Sequence, residues 1–227
     1  KYYANERGKT EQYIGFEQKG KLITFNPKSH VRMFPSFQPE ADGVTFHLKA
    51  VYTDTLRNEY SKEHSTHPIR MSRICGPVEV VNDTTFTVRF YRMGLDNPKR
   101  TGGICLMASV KQDHKYRSAV QQVEIRIPYR NKEGIPQRII FPKLSDVKAS
   151  VKEISLNGTA DSGLPVYYYV KEGPAEIKGD KLVLTKIPPR AKFPVKVTVV
   201  AWQYGRSGEP KVQTAEAVEQ SFYITAR

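Results

Sequence analysis

Pro68-Ile-Arg-Met-Ser-Arg-Ile-Cys-Gly76-Pro77-Val-Glu-Val80 lies without a gap on Pro165-Val-Tyr-Tyr-Tyr-Val-Lys-Glu-Gly173-Pro174-Ala-Glu-Ile177. The spacing from the first proline to the Gly-Pro pair is the same in both stretches. Self-similarity at a long, fixed offset marks a duplicated structural unit. Working outward, residues 22–31 (LITFNPKSHV) answer residues 138–147 (RIIFPKLSDV). Downstream, Ile104-Cys-Leu-Met-Ala108 answers Val197-Thr-Val-Val-Ala201, and residues 118–127 (SAVQQVEIRI) answer residues 215–224 (AEAVEQSFYI). Two copies of one fold are therefore expected, over 20–127 and 136–227. Residues 128–135 (PYRNKEGI) read as a short polar linker. Residues 1–19 read as the tail of a connection from another domain. The chain opens at Lys1 without an initiator Met or a signal-peptide apolar core, which reads as a processed chain or an excised fragment.

Within each copy the apolar period is two. Val44-Thr-Phe-His-Leu-Lys-Ala50, Phe86-Thr-Val-Arg-Phe90, Val123-Glu-Ile-Arg-Ile127 and Val195-Lys-Val-Thr-Val199 all alternate apolar with polar. Alternation carried by β-branched and aromatic residues means half-buried strands. Gly76-Pro77, Asn97-Pro98, Gly102-Gly103, Gly173-Pro174 and Pro188-Pro189 punctuate them. The one helix candidate is the charged stretch 55–65, with Leu56 and Tyr60 as its large apolar residues. The fold class expected is all-β, two tandem immunoglobulin-like β-sandwiches. The Gly-Pro pairs have a backbone reason. Proline cannot donate to a ladder, and the glycine before it tolerates a turn or bulge. Each pair should end one strand and send the chain to the opposite sheet.

The chain has 227 residues, 39% apolar and 26% charged. That is enough for one large or two small domains with real cores. No apolar run reaches the ~18 residues of a membrane span, so no transmembrane segment is expected. The formal net charge is +13, from 36 Lys and Arg against 23 Asp and Glu. It is spread over both halves without a run of five like charges. Such a diffuse field attracts polyanions weakly and supplies no base-reading element, so no sequence-specific nucleic-acid binding is expected. Arg70, Arg89 and Lys196 are the outward cations to inspect for a shared groove.

The second copy resembles the bacterial immunoglobulin-like (Big-type) repeats of exported and cell-surface proteins of the Bacteroidetes type. The residues that carry this are Ile139-Ile-Phe141, Asp161-Ser-Gly-Leu-Pro-Val166, Glu172-Gly-Pro-Ala175, Gly179-Asp-Lys-Leu-Val-Leu184, Val195 to Ala201 and Gln220-Ser-Phe-Tyr-Ile224. The first copy fits less well. It carries an insertion over 53–67 and a longer hairpin over 93–103. Its closing half, residues 109–119, still looks like the family. The resemblance implies a non-catalytic accessory, spacer or docking module, exported as the C-terminal part of a larger bacterial protein such as a glycan-processing enzyme. It transfers no catalytic residue and no cofactor. The partner it implies is a neighbouring domain of the same polypeptide, with polysaccharide as the alternative.

The same pattern implies that Val166, Tyr168, Val170, Val197, Val199, Ala201, Phe222 and Ile224 face inward. Tyr167, Tyr169, Trp202 and Tyr223 then share one outer face, the candidate ligand or interface surface, because flat aromatic rings stack on sugars and anchor protein contacts. Cys75 ends one strand and Cys105 opens its expected antiparallel neighbour, which leaves a disulfide and two separate thiols both open. His64 and His67 are close enough to approach one metal, with Glu63 as the nearby acid, but two ligands do not make a site; His30, His47 and His114 are isolated. No metal site is expected. No nucleophile elbow, Walker loop or dinucleotide fingerprint occurs. A hydrolase with an unrecognised acid pair remains the alternative to a module without chemistry.

Overall fold

The structure, a computed structural model, describes residues 7–24, 33–54, 58–99, 102–128 and 130–226. Every regular element among them is a strand. The chain divides into two compact units. The first takes its described residues from Lys1–Pro39, Thr45–Val88 and Gly102–Ile127; the second takes its own from Glu40–Val44, Arg89–Thr101 and Pro128–Arg227. No sheet among the described residues mixes strands of the two sequence copies.

The first unit holds β1 (Tyr13–Gln18), β2 (Lys21–Ile23), β3 (Thr45–His47), β4 (Lys49–Asp54), β5 (Glu59–Tyr60), β6 (Arg70–Cys75), β7 (Val78–Val80), β8 (Thr85–Val88), β9 (Gly103–Val110) and β10 (Ala119–Arg126). They form sheets in the orders β2-β1-β4-β5, β10-β9-β6 and β3-β8-β7. The alternation read from the sequence is the burial pattern of β9, where Ile104, Leu106, Ala108 and Val110 are buried and Cys105, Met107 and Ser109 are half-buried. Phe46 and Phe86 face each other across β3 and β8 and stack at 5.5 Å, both fully buried.

Two expectations change here. Residues 1–19 are more than a connection, because Tyr13–Gln18 is a strand paired with both β2 and β4, with Ile14 and Phe16 in the core. The helix candidate at 55–65 is not a helix where it is described. Glu59 and Tyr60 pair with Asp54 and Thr53 to close a hairpin, while 55–57, with Leu56, lie outside the described residues. The stretch lacks a helical apolar stripe, so sheet pairing decides its conformation.

The second unit holds β11 (Ile139–Ile140), β12 (Val147–Lys148), β13 (Glu153–Ser155), β14 (Thr159–Ala160), β15 (Tyr167–Glu172), β16 (Ala175–Lys178), β17 (Lys181–Leu184), β18 (Val195–Trp202) and β19 (Val218–Thr225). Its main sheets run β12-β19-β18-β15 and β13-β17-β16, with β11 and β14 paired beside them. One core joins the two sheets. Val170, Val197, Val199, Ala201, Phe222 and Ile224 from one sheet meet Ala175 and Leu182 from the other. Tyr168 lies in this core, and its hydroxyl accepts from the Gly158 N–H at 2.7 Å. Within the expected linker 128–135, residues 130–135 are docked. Ile135 N–H donates to the Lys211 carbonyl at 2.9 Å, and Asn131 Nδ2 donates to the Val212 carbonyl at 2.8 Å. The segment docks through its backbone and through the Asn131 side-chain amide.

Phe222 is 1% exposed within this core. Phe222→Ala removes a ring from a two-sheet interior and is expected to cost ~3–5 kcal/mol in chemical denaturation. An unchanged unfolding midpoint would contradict the inward assignment.

Candidate functional site

The outer face of the β15-β18-β19 sheet carries the four aromatic residues singled out above. Tyr167 pairs with Trp202 in register, and Tyr169 with Val200. All four side chains point away from the two-sheet core, as the alternation requires. The rings of Tyr167 and Trp202 lie 5.3 Å apart. Tyr223 shares the face but not the cluster. It pairs with Lys196, six residues along β18 from Trp202, or about 20 Å at the rise of a strand. It is exposed, whereas Trp202 is 2% and Tyr169 7% exposed.

Packing buries the Tyr169 and Trp202 part of that face. Its cover is the second unit's own segment over residues 89–99. Phe90 meets Trp202 edge-to-face at 4.8 Å and Tyr169 at 6.2 Å. Gly94 lies against the Tyr169 ring so closely that a side chain there would collide with it. Arg92 N–H donates to the Val170 carbonyl at 3.0 Å, and its guanidinium donates to the Gly173 carbonyl at 2.9 Å. Arg130 clamps the arrangement. It reaches Asp96 of the segment at 2.5 Å and Glu216 of the main body at 2.9 Å. Together these contacts make the aromatic face an internal packing surface.

The electrostatics follow from this packing. Burial first, then the negative charges of Glu219 and Asp96, push the Tyr169 phenol up to about 12. Burial first, then Asp42, does the same for Tyr167. Lys196 pairs with Glu172 at 2.7 Å, Arg70 with Asp83 at 2.7 Å, and Arg89 donates to the Ile177 carbonyl at 3.1 Å. Each of the three cations named from the sequence thus has a polar partner of its own.

The remaining candidates place as follows. Cys75 and Cys105 are register partners in β6 and β9, and both are free thiols. The His64 ring stacks on Tyr52 at 4.0 Å, and its Nδ1 lies 2.7 Å from the Ser65 carbonyl. No three of His, Cys, Asp and Glu come together as a metal site among the described residues. His30 lies outside the described residues. No helix among the described residues is long and apolar enough to cross a membrane.

The fold is that of an all-β protein built from tandem β-sandwich repeats. No protein-family model matches the chain, and no curated protein sequence matches it. Among solved structures, repeats EC1-2 of human protocadherin-24 are similar, with 13% identity over 86% of this chain and 94% of that one, at a TM-score of 0.32. Drosophila N-cadherin EC1-4 shares 10% identity over 96% of this chain and 67% of that one, at 0.30. Mouse cadherin-23 EC22-24 shares 17% over 95% and 65%, at 0.28. Likeness at this level transfers neither ligand nor partner.

Trp202 is the chain's one tryptophan, so its fluorescence reads the face alone. Emission is expected to be that of a buried indole and to move to longer wavelength in Phe90→Ala. A solvent-like native spectrum would show the cover absent. The tyrosines give a second test. A phenol whose pKa rises on folding stabilises the fold below about 10. That contribution is lost between about 10, its value in the unfolded chain, and about 12, its folded value. Tyr167→Phe and Tyr169→Phe should therefore flatten the fall in stability over that window, measured by unfolding at successive alkaline pH values.

Proposed function

We propose that the chain is a non-catalytic spacer and docking module of an exported protein. The observation that carries this reading is the filled aromatic face. A sugar platform must lie open so that a ring can stack on it, and here Phe90 and Gly94 occupy the space over Trp202 and Tyr169. Tyr169 and Trp202 therefore serve the module's own architecture, which speaks against the carbohydrate-binding alternative, while Tyr223 stays exposed. Export, a larger parent protein and a bacterial immunoglobulin-like ancestry are supported by the ordered motif set over 136–227. The surface carries exposed ion pairs, each worth ~0–1 kcal/mol, alongside exposed apolar residues such as Val120, Ile135 and Ile140.

The test is affinity measurement of the whole chain against neutral and acidic polysaccharides at low and physiological salt. The expected result is no saturable binding to neutral polysaccharide, and an attraction to acidic ones that disappears at physiological salt, as scattered cations require. Saturable binding of a neutral polysaccharide, weakened by Tyr223→Ala at the exposed end of the face, would overturn the spacer reading.

A further inference from the structure

In both copies the strand before the Gly-Pro pair carries a bulge at the same place. In β6 the register runs from Arg70↔Ser109 to Arg73↔Leu106 and then shifts, so that Cys75 meets Cys105. Without the shift Cys75 would face Ile104, a buried core residue. In β15 the register runs from Tyr167↔Trp202 to Val170↔Val199 and shifts in the same way, so that Glu172 meets Thr198. The duplication sets Cys75 on Glu172 and Cys105 on Thr198. A bulge re-aims the side chain that follows it. In the second copy the re-aimed pair touches, with Thr198 Oγ1 donating to Glu172 Oε1 at 2.7 Å. This rung therefore brings two side chains into direct contact, and in the first copy those side chains are thiols.

We propose that Cys75 and Cys105 are a redox pair that closes to a cross-strand disulfide, fastening β6 to β9. Opposed residues in an antiparallel ladder have Cα atoms about 4.5 or 5.5 Å apart, inside the 4.4–6.8 Å range that a disulfide spans. β6 is an edge strand of the β10-β9-β6 sheet and has β9 as its one ladder partner there. A bridge therefore pins an edge strand to that partner. Accessibility sets the order of events. Cys75 is exposed and Cys105 half-buried, and burial first, then the neighbouring Cys75 thiol, holds Cys105 above the usual thiol range. With a small-molecule disulfide such as glutathione disulfide as oxidant, the Cys75 thiolate attacks one glutathione sulfur and expels glutathione thiolate. The Cys105 thiolate then attacks the Cys75 sulfur of the mixed disulfide and expels the second. Two protein thiols lose their protons and two electrons, and one glutathione disulfide becomes two glutathiones.

The experiment treats the native chain with glutathione disulfide under non-denaturing conditions, then follows free thiols, intact mass and the thermal unfolding midpoint. The expected product is a monomer with no free thiol, two hydrogens lighter, whose proteolytic map joins the Cys75 and Cys105 peptides. The closed loop is roughly 30 residues, so the midpoint should rise by roughly 5–15 °C and return on reduction. Cys105→Ser should stop at a glutathione adduct on Cys75 and show no such rise. Two stable glutathione adducts on one chain, a covalent dimer, or thiols that both survive the oxidant would each overturn the proposal.

Discussion

At Gly76 and Gly173 the backbone comes so close to the neighbouring strand that a side chain has no room. An added Cβ would sit 2.8 Å from the Ile104 Cα in the first copy and 2.8 Å from the Val197 Cα in the second. Both glycines take positive φ, 97° and 101°, a region that other residues enter at a cost. The proline that follows cannot donate to a ladder, so pairing with the same neighbour ends there. The N–H two residues on then turns back to the glycine carbonyl, from Val78 to Gly76 at 3.0 Å and from Ala175 to Gly173 at 3.1 Å. The next strand, β7 or β16, joins the other sheet. Each sandwich closes because this one close approach sends the chain across.

The bulge just upstream belongs to the same constraint. Adding one residue to one strand shifts all later pairing by one and so exchanges the faces. In the second unit this sets Glu172 beside Thr198 on the outer face, while Val170 stays in the core. It also leaves the Gly173 carbonyl free to accept from Arg92. The segment that covers Trp202 is thus anchored at the glycine that turns the strand.

Much of this was legible beforehand because strand periodicity and turn chemistry are local. The inward set Val170, Val197, Val199, Ala201, Phe222 and Ile224 was implied by the family resemblance laid over the strand period, and the copies were read from the matched Gly-Pro spacing. What escaped was non-local. The outward parity of Tyr169 and Trp202 is visible in sequence, but parity does not say whether a face meets water. The cover comes from residues 89–99, far away in the chain and without a period of their own. Ile135 docks through backbone hydrogen bonds that any side chain would allow, and Asn131 through a side-chain amide whose acceptors, the Arg206 and Val212 carbonyls, lie far along the chain. Tyr13–Gln18 was missed for a different reason. Gly15 lies between Ile14 and Phe16, and a glycine within a strand weakens its signal.

The two copies show how one scaffold accepts different side-chain chemistry at one rung. The backbone geometry of bulge, positive-φ glycine and proline is shared, so the contact between opposed side chains is shared as well. What fills it is free to differ. Glu172 is held below the usual carboxylate range, chiefly by hydrogen bonding from Lys196 and then from Thr198, which makes its rung a polar surface contact. Cys75 and Cys105 put thiols in the same position, where the small side chains leave Glu124 as the next residue across from Cys105. A duplicated fold therefore keeps the backbone device that closes each sandwich, while the outward pair beside it changes character, because those two side chains carry none of the core.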